Sequence, residues 1–169
     1  KGGGKVKSLT WKFTPSTDDK ALSEGTNAKR GFYWAGAYAT DKYIAVGSDD
    51  GASGYTSETA TFYTLDSKTG QVIDRIENIK GDIRSTTVYD NGYIYFSTKG
   101  GIVYKAAVSE EGNISDVSYI DIGAVTGESV MATAAPVVYG NKIYMGVSGS
   151  GGQFDPDAGH GFRVIDNSG

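Results

Sequence analysis

Three segments of this chain are written on one plan. They are Ala39-Thr-Asp-Lys-Tyr-Ile-Ala-Val-Gly-Ser, Val88-Tyr-Asp-Asn-Gly-Tyr-Ile-Tyr-Phe-Ser and Val138-Tyr-Gly-Asn-Lys-Ile-Tyr-Met-Gly-Val. Each reads as a short apolar strand, a polar turn of two or three residues and a second strand. Asn and Gly tolerate positive φ, so Asp-Asn-Gly and Gly-Asn-Lys are hairpin turns. Ile44, Ile94 and Ile143 stand at matching places, about fifty residues apart. That period suits a four-stranded antiparallel blade and exceeds a leucine-rich or ankyrin unit.

A second likeness follows each hairpin. Phe62-Tyr-Thr-Leu-Asp-Ser-Lys-Thr-Gly70 matches Phe162-Arg-Val-Ile-Asp-Asn-Ser-Gly169, and Val103–Gly112 is the divergent copy. These predict a third strand running into an Asp/Gly turn. Gln71–Glu77 and Asp116–Ile122 predict a fourth. With strands lettered A to D from the inside outwards, the third copy stops short of D. The front of the chain has an unmatched strand instead, in which Leu9, Trp11 and Phe13 alternate with Thr10, Lys12 and Thr14. The expectation is an all-β chain, a β-propeller segment of three four-stranded blades with an N-terminal outer strand. Its parts are a lone outer strand over 5–14 and blades over 33–77, 85–122 and 133–169.

Composition narrows the function. Net charge is −4, against broad affinity for nucleic acid or anionic lipid. No cysteine is present, so disulfides, zinc–thiolate sites and Cys–His catalysis are ruled out. No apolar run approaches the roughly 20 residues of a membrane helix. A cysteine-free chain rich in Gly, Ser, Thr, Tyr and Asp suggests an extracytoplasmic bacterial protein, at the cell surface or in the periplasm. The chain opens at Lys1 without methionine or signal peptide, and so reads as a trimmed piece of a longer protein.

The Asp66-Ser-Lys-Thr-Gly70 turn and the strand carrying Trp11 resemble repeats of the quinoprotein-dehydrogenase-like (PQQ-like) propellers. In that family strand C ends in Ala-x-Asp-x-x-Thr-Gly and a docking tryptophan follows. This chain departs from the pattern, with Asp74 where that tryptophan falls and Ala107 in place of the second turn aspartate. The resemblance implies the fold. It also raises the alternative of a fragment of a PQQ-dependent dehydrogenase, which would bring PQQ and calcium and needs a Glu/Asn/Asp calcium set that cannot be placed here.

Loop lengths are unequal between the two rims of such a blade stack. The A–B and C–D turns are short, whereas the B–C loops 48–59 and 148–161 and the D–A connection 15–32 are long. Loops on a rigid scaffold are where binding usually resides, although surface insertions also accumulate at small entropic cost. Residues just before each strand A point towards the propeller axis: Arg30, Tyr33 and Trp34, then Asp82 and Arg84, then Glu128, Met131 and Thr133. Guanidinium forks and aromatic faces suit a carboxylate, a phosphate or a sugar. The plainer alternative makes Tyr33 and Trp34 core residues opening strand A, with Arg84 paired to Asp82.

Asp155, Asp157 and His160 lie in one glycine-rich loop and supply oxygen and nitrogen donors for a cation. An Asp-x-Asp pair there is also ordinary turn chemistry. His160 is the sole histidine, so any serine triad would depend on it. The expected function is therefore a non-catalytic binding or scaffolding module with no cofactor, taking a protein or glycan on its loop-bearing face. Three blades do not close a ring, and about four to eight are typical. Either missing sequence completes it or two copies join head to tail, each lending its front strand (6–13) to the other's strand C (161–166).

Overall fold

The computed structural model of the 169-residue chain describes residues 8–15, 31–51, 59–149 and 159–168. Most of these residues lie in three antiparallel sheets. The first holds β1 (Tyr38–Ala39), β2 (Tyr43–Gly47), β3 (Ala60–Asp66) and β4 (Val72–Ile79) in that order. The second holds β5 (Val88–Asp90), β6 (Tyr93–Ser97), β7 (Ile102–Val108) and β8 (Ile114–Asp121). The third orders β10 (Val137–Tyr139), β11 (Lys142–Gly149) and β12 (Gly161–Asp166), with β9 (Val130–Met131) pairing on β11. These are up-and-down propeller blades. The three sheets do not close on themselves, so the chain forms an open propeller segment.

The turns follow from their residues. Asn91 and Gly92 both take positive φ (47° and 86°), the backbone a two-residue hairpin turn requires. After β3, the Asp66 carboxylate accepts bonds from the Lys68 and Thr69 amides and the Thr69 hydroxyl. Those bonds favour its charged form and hold its pKa below the ordinary carboxylate value, the Thr69 hydroxyl contributing most. Asp166 repeats the motif, accepting from the Ser168 amide and pairing with Lys142 at 3.1 Å. Its carboxyl is held down to about 2, chiefly by Ser168.

Alternation along the strands sends side chains to both neighbours of the middle blade. Ile94 and Phe96 of β6 join Tyr43, Ala45, Phe62 and Ile83 in the core between the first two sheets. Tyr95, one residue out of phase, joins Val103, Ile143, Met145 and Val147 between the second and third. Rings bridge the first of these interfaces. Phe62 stacks on Phe96 at 4.1 Å, and Phe96 on Tyr104 at 4.9 Å.

The joints between blades use a different chemistry at each step. Trp11 Nε1 donates to the Ser67 carbonyl at 3.0 Å, and the indole lies against Gly70, where any Cβ would sit 2.6 Å from the ring. One blade further on, Asp74 does the docking. Its carboxylate accepts from the Ile114 amide at 2.8 Å, while the Thr64 hydroxyl donates to the Gly112 carbonyl at 2.6 Å. At the last joint the Asn167 side-chain amide bonds the Tyr95 hydroxyl at 3.1 Å.

Three details depart from the sequence reading. The chain after β8 does not stay extended: Ile122–Thr126 form one helical turn, α1, whose Ala124 amide donates to the Asp121 carboxylate and whose C-cap Gly127 has φ 74°. The inner strand of the third blade is split into β9 and β10, with Pro136 between them, a residue that has no amide hydrogen to donate. Residues 8–14 flank the first blade without joining a sheet, and with no strand beside them they are not assigned as one; residues 5–7 lie outside the described residues.

Candidate functional site

Three pieces of backbone converge beside the first and second blades. Residues 31–34 lead towards β1, Asp49 and Asp50 follow β2 at the start of the B–C loop, and Asp82 and Arg84 occupy the crossover from β4 to β5. Backbone bonds fasten them together. The Asp49 amide donates to the Gly31 carbonyl (2.8 Å), the Ile83 amide to the Ser48 carbonyl (3.1 Å) and the Asp50 amide to the Asp82 carboxylate (3.1 Å). The Tyr33 amide donates to the Asp49 carboxylate at 3.1 Å. The site therefore stands on the ends of rigid strands.

At its centre Arg84 is held on two sides. Its terminal nitrogen pairs with Asp82 at 2.7 Å, and its Nε stands 3.9 Å from Asp49. The Asp82 side chain is buried and that of Arg84 nearly so. The guanidinium carbon lies 4.9 Å from the centre of the Trp34 ring and 5.5 Å from that of Tyr33, within cation–π range of both. The two rings lie 4.7 Å apart, tilted by 34°. Both are exposed, Trp34 by 71%. Trp34 has φ 66°, a left-handed conformation that costs a bulky residue roughly 1–2 kcal/mol. These rings precede β1 and open to solvent instead of entering the core.

The charge here is lopsided. Asp49, Asp50 and Asp82 gather near Arg84, the one arginine there among the described residues. Burial pushes the Asp49 carboxyl above its ordinary pKa, with Asp82 and Asp50 adding to the shift against the Tyr33 amide and Arg84. One Asp49 oxygen, Oδ1, is buried with no hydrogen bond. Because folding raises this pKa, the ionised carboxylate opposes folding. The penalty is absent below the unfolded value of about 3.9 and grows as pH rises through the higher folded value. Asp49→Asn, which still accepts from the Tyr33 amide, is accordingly expected to match or exceed the parent in stability at pH 7. That advantage should vanish in urea titrations run below about pH 4.

The other expected site residues are dispersed. Arg30 lies outside the described residues, as do Asp155 and Asp157. Glu128 lies near the second joint, where Arg163 bonds its carboxylate at 2.6 Å and lowers its pKa. Met131 is half-buried in β9 opposite Ser148. His160 Nδ1 accepts from the Gly149 amide at 3.0 Å. Among the described residues no three His, Asp or Glu side chains are placed to hold a metal ion. The Asp82–Arg84 pair is the one that the plainer alternative named; the anchoring role of Asp49 was the part least visible in the sequence. Its one signal was an Asp-Asp pair placed just after a strand B.

No protein-family model matches the sequence, and no curated protein matches it. Among solved structures the chain is similar to a europium-containing methanol dehydrogenase, with 18% identity and a TM-score of 0.49. The match covers 82% of this chain and 25% of that one, so the chain spans about a quarter of that protein's length. Among the described residues no helix is long and apolar enough to cross a membrane.

Proposed function

We propose that this chain is a non-catalytic binding module, working outside the cytoplasm, whose Tyr33–Trp34–Arg84 platform takes a neutral glycan. The observation that carries this reading is Trp34 itself, a large ring held largely in solvent on a left-handed backbone and backed by Arg84. A conformation that costs folding energy and buries little apolar surface points to a ligand surface. The flat C–H face of a sugar ring suits the exposed indole. Anions fit poorly, because one arm of Arg84 is already paired with Asp82 and carboxylates outnumber this arginine among the described residues of the site.

The resemblance to PQQ-dependent dehydrogenases would bring PQQ and calcium. The described residues do not fit that pair. Asp82 is committed to Arg84 and the Asp50 amide, Asp49 to the Tyr33 amide, and among the described residues no three acidic or histidine side chains, that of Asp50 included, are placed to hold a metal ion. No chemical step is assigned through that cofactor.

Trp34→Gly separates binding from folding. Glycine accepts φ 66° freely, so thermal stability should hold or rise. Affinity for a neutral oligosaccharide selected from a glycan array should fall at least about 30-fold by titration calorimetry, the loss of a hot spot of about 2 kcal/mol. Unchanged affinity in a folded Trp34→Gly protein would move the site elsewhere. Selective capture of anionic glycans would overturn the assignment of a neutral ligand.

A further inference from the structure

A groove of about 560 Å³ opens where the first and second blades meet, and both of those blades have all four strands among the described residues. It lies on the rim of the A–B and C–D turns, at the other end of the inner strands from the Tyr33–Trp34–Arg84 platform. Three tyrosines line it. Tyr38 of β1 and Tyr89 of β5 come from the inner strands of the two blades and stack with ring centres 4.9 Å apart, within 7° of parallel. Tyr43, which opens β2, stands 6.2 Å from Tyr38 and is tilted by 56°.

The walls are two turns. Asp41 and Lys42 belong to the A–B turn of the first blade, Ser109 and Glu110 to the C–D turn of the second. Gly112 lets the second wall close in, since a Cβ there would stand 3.0 Å from that of Tyr43. At Gly92 a Cβ would meet nothing within 4 Å, so the groove is open on that side.

Two features define what fits. The first is Tyr43, only 3% exposed, whose hydroxyl bonds to no described residue. Burial pushes this phenol up to about 12, with Tyr38 and Tyr89 adding to the shift, so it is neutral at pH 7 and its oxygen is free to accept. The second is charge. Lys42 is the one base among the lining residues; its ammonium is bonded to Glu111 and stands 3.8 Å from Glu110. The Asp41 carboxylate pairs with no described residue. Three carboxylates around one ammonium leave the groove net negative.

We infer that this groove binds a linear polyamine, its ammonium groups at Asp41, Glu110 and the Tyr43 hydroxyl and its methylenes across Tyr38 and Tyr89. Ring faces attract a cation. Ammonium N–H groups supply the donors that the phenol oxygen and the carboxylates accept. A hydrocarbon spacer between charges suits an aromatic floor between acidic walls. A bare divalent ion would leave the rings unused, and a quaternary amine would offer Tyr43 no donor.

Spermidine is the probe, titrated calorimetrically into the whole chain at low ionic strength, where charge pairing is least screened. One molecule should bind per chain, more tightly than tetramethylammonium or magnesium. Tyr43→Phe keeps the buried ring and should keep the unfolding temperature, yet weaken spermidine about 10-fold through loss of the accepting oxygen. Tyr89→Ala, at a side chain 42% exposed, should weaken it by about 5-fold or more. Absence of spermidine binding overturns the inference. So does wild-type affinity in both folded variants, or equal binding of magnesium or tetramethylammonium, which would mean attraction by charge alone.

Discussion

Phe96→Ala is expected to destabilise the chain by about 3–5 kcal/mol, seen as a lower urea midpoint with little change in slope. Phe96 is fully buried and central to the interface between the first two blades. Phe62 stacks on one side of it at 4.1 Å and Tyr104 on the other at 4.9 Å, with rings within about 10° of parallel. Truncation leaves a cavity lined by two rings that are themselves anchored on neighbouring strands, so collapse around it is limited. Phe96→Leu keeps more of the volume and should lose markedly less. Equal losses from the two variants would mean that the stack contributes little beyond apolar area.

Arg84→Met is expected to cost a comparable amount, about 3–5 kcal/mol, although the new side chain is close in length. The loss arises from what remains. Asp82 keeps its burial and the Asp50 amide but loses its cation, and Asp49 stands close by with one oxygen already lacking a hydrogen bond. Breaking one half of a buried pair strands the other half. The double variant Asp82→Asn with Arg84→Met should recover part of the loss, because asparagine still accepts from the Asp50 amide and carries no charge. A double variant as unstable as Arg84→Met, measured by thermal unfolding, would show that the arginine acts through packing against Tyr33 and Trp34.

Where the sequence was legible, the reason is local. The hairpins announce themselves because Asn91, Gly92 and Gly140 supply the positive φ that a tight turn needs. The Asp66 turn is legible because its aspartate captures amides only two and three residues ahead. The gathering of Asp49, Asp82 and Arg84 is not of this kind. Those residues are more than thirty positions apart at the extremes, and only the crossover from β4 to β5, packing Ile83 beneath Gly47, brings them into contact. The helical turn at Ile122–Thr126 was hidden for the same reason. Its capping aspartate, Asp121, is also the last residue of a strand, and either role fits the sequence.

The joints mark the division most clearly. That Asp74 replaces a docking aromatic is visible in the sequence; that it then accepts the Ile114 amide, forty residues on, is not. Periodicity and turn chemistry alone determined the repeat and the strand order within it, because each depends on neighbours within a few residues. Tertiary structure decided which carboxylates lose water and which rings stay exposed. Those outcomes depend on burial, a property of surfaces that meet only when the blades stack.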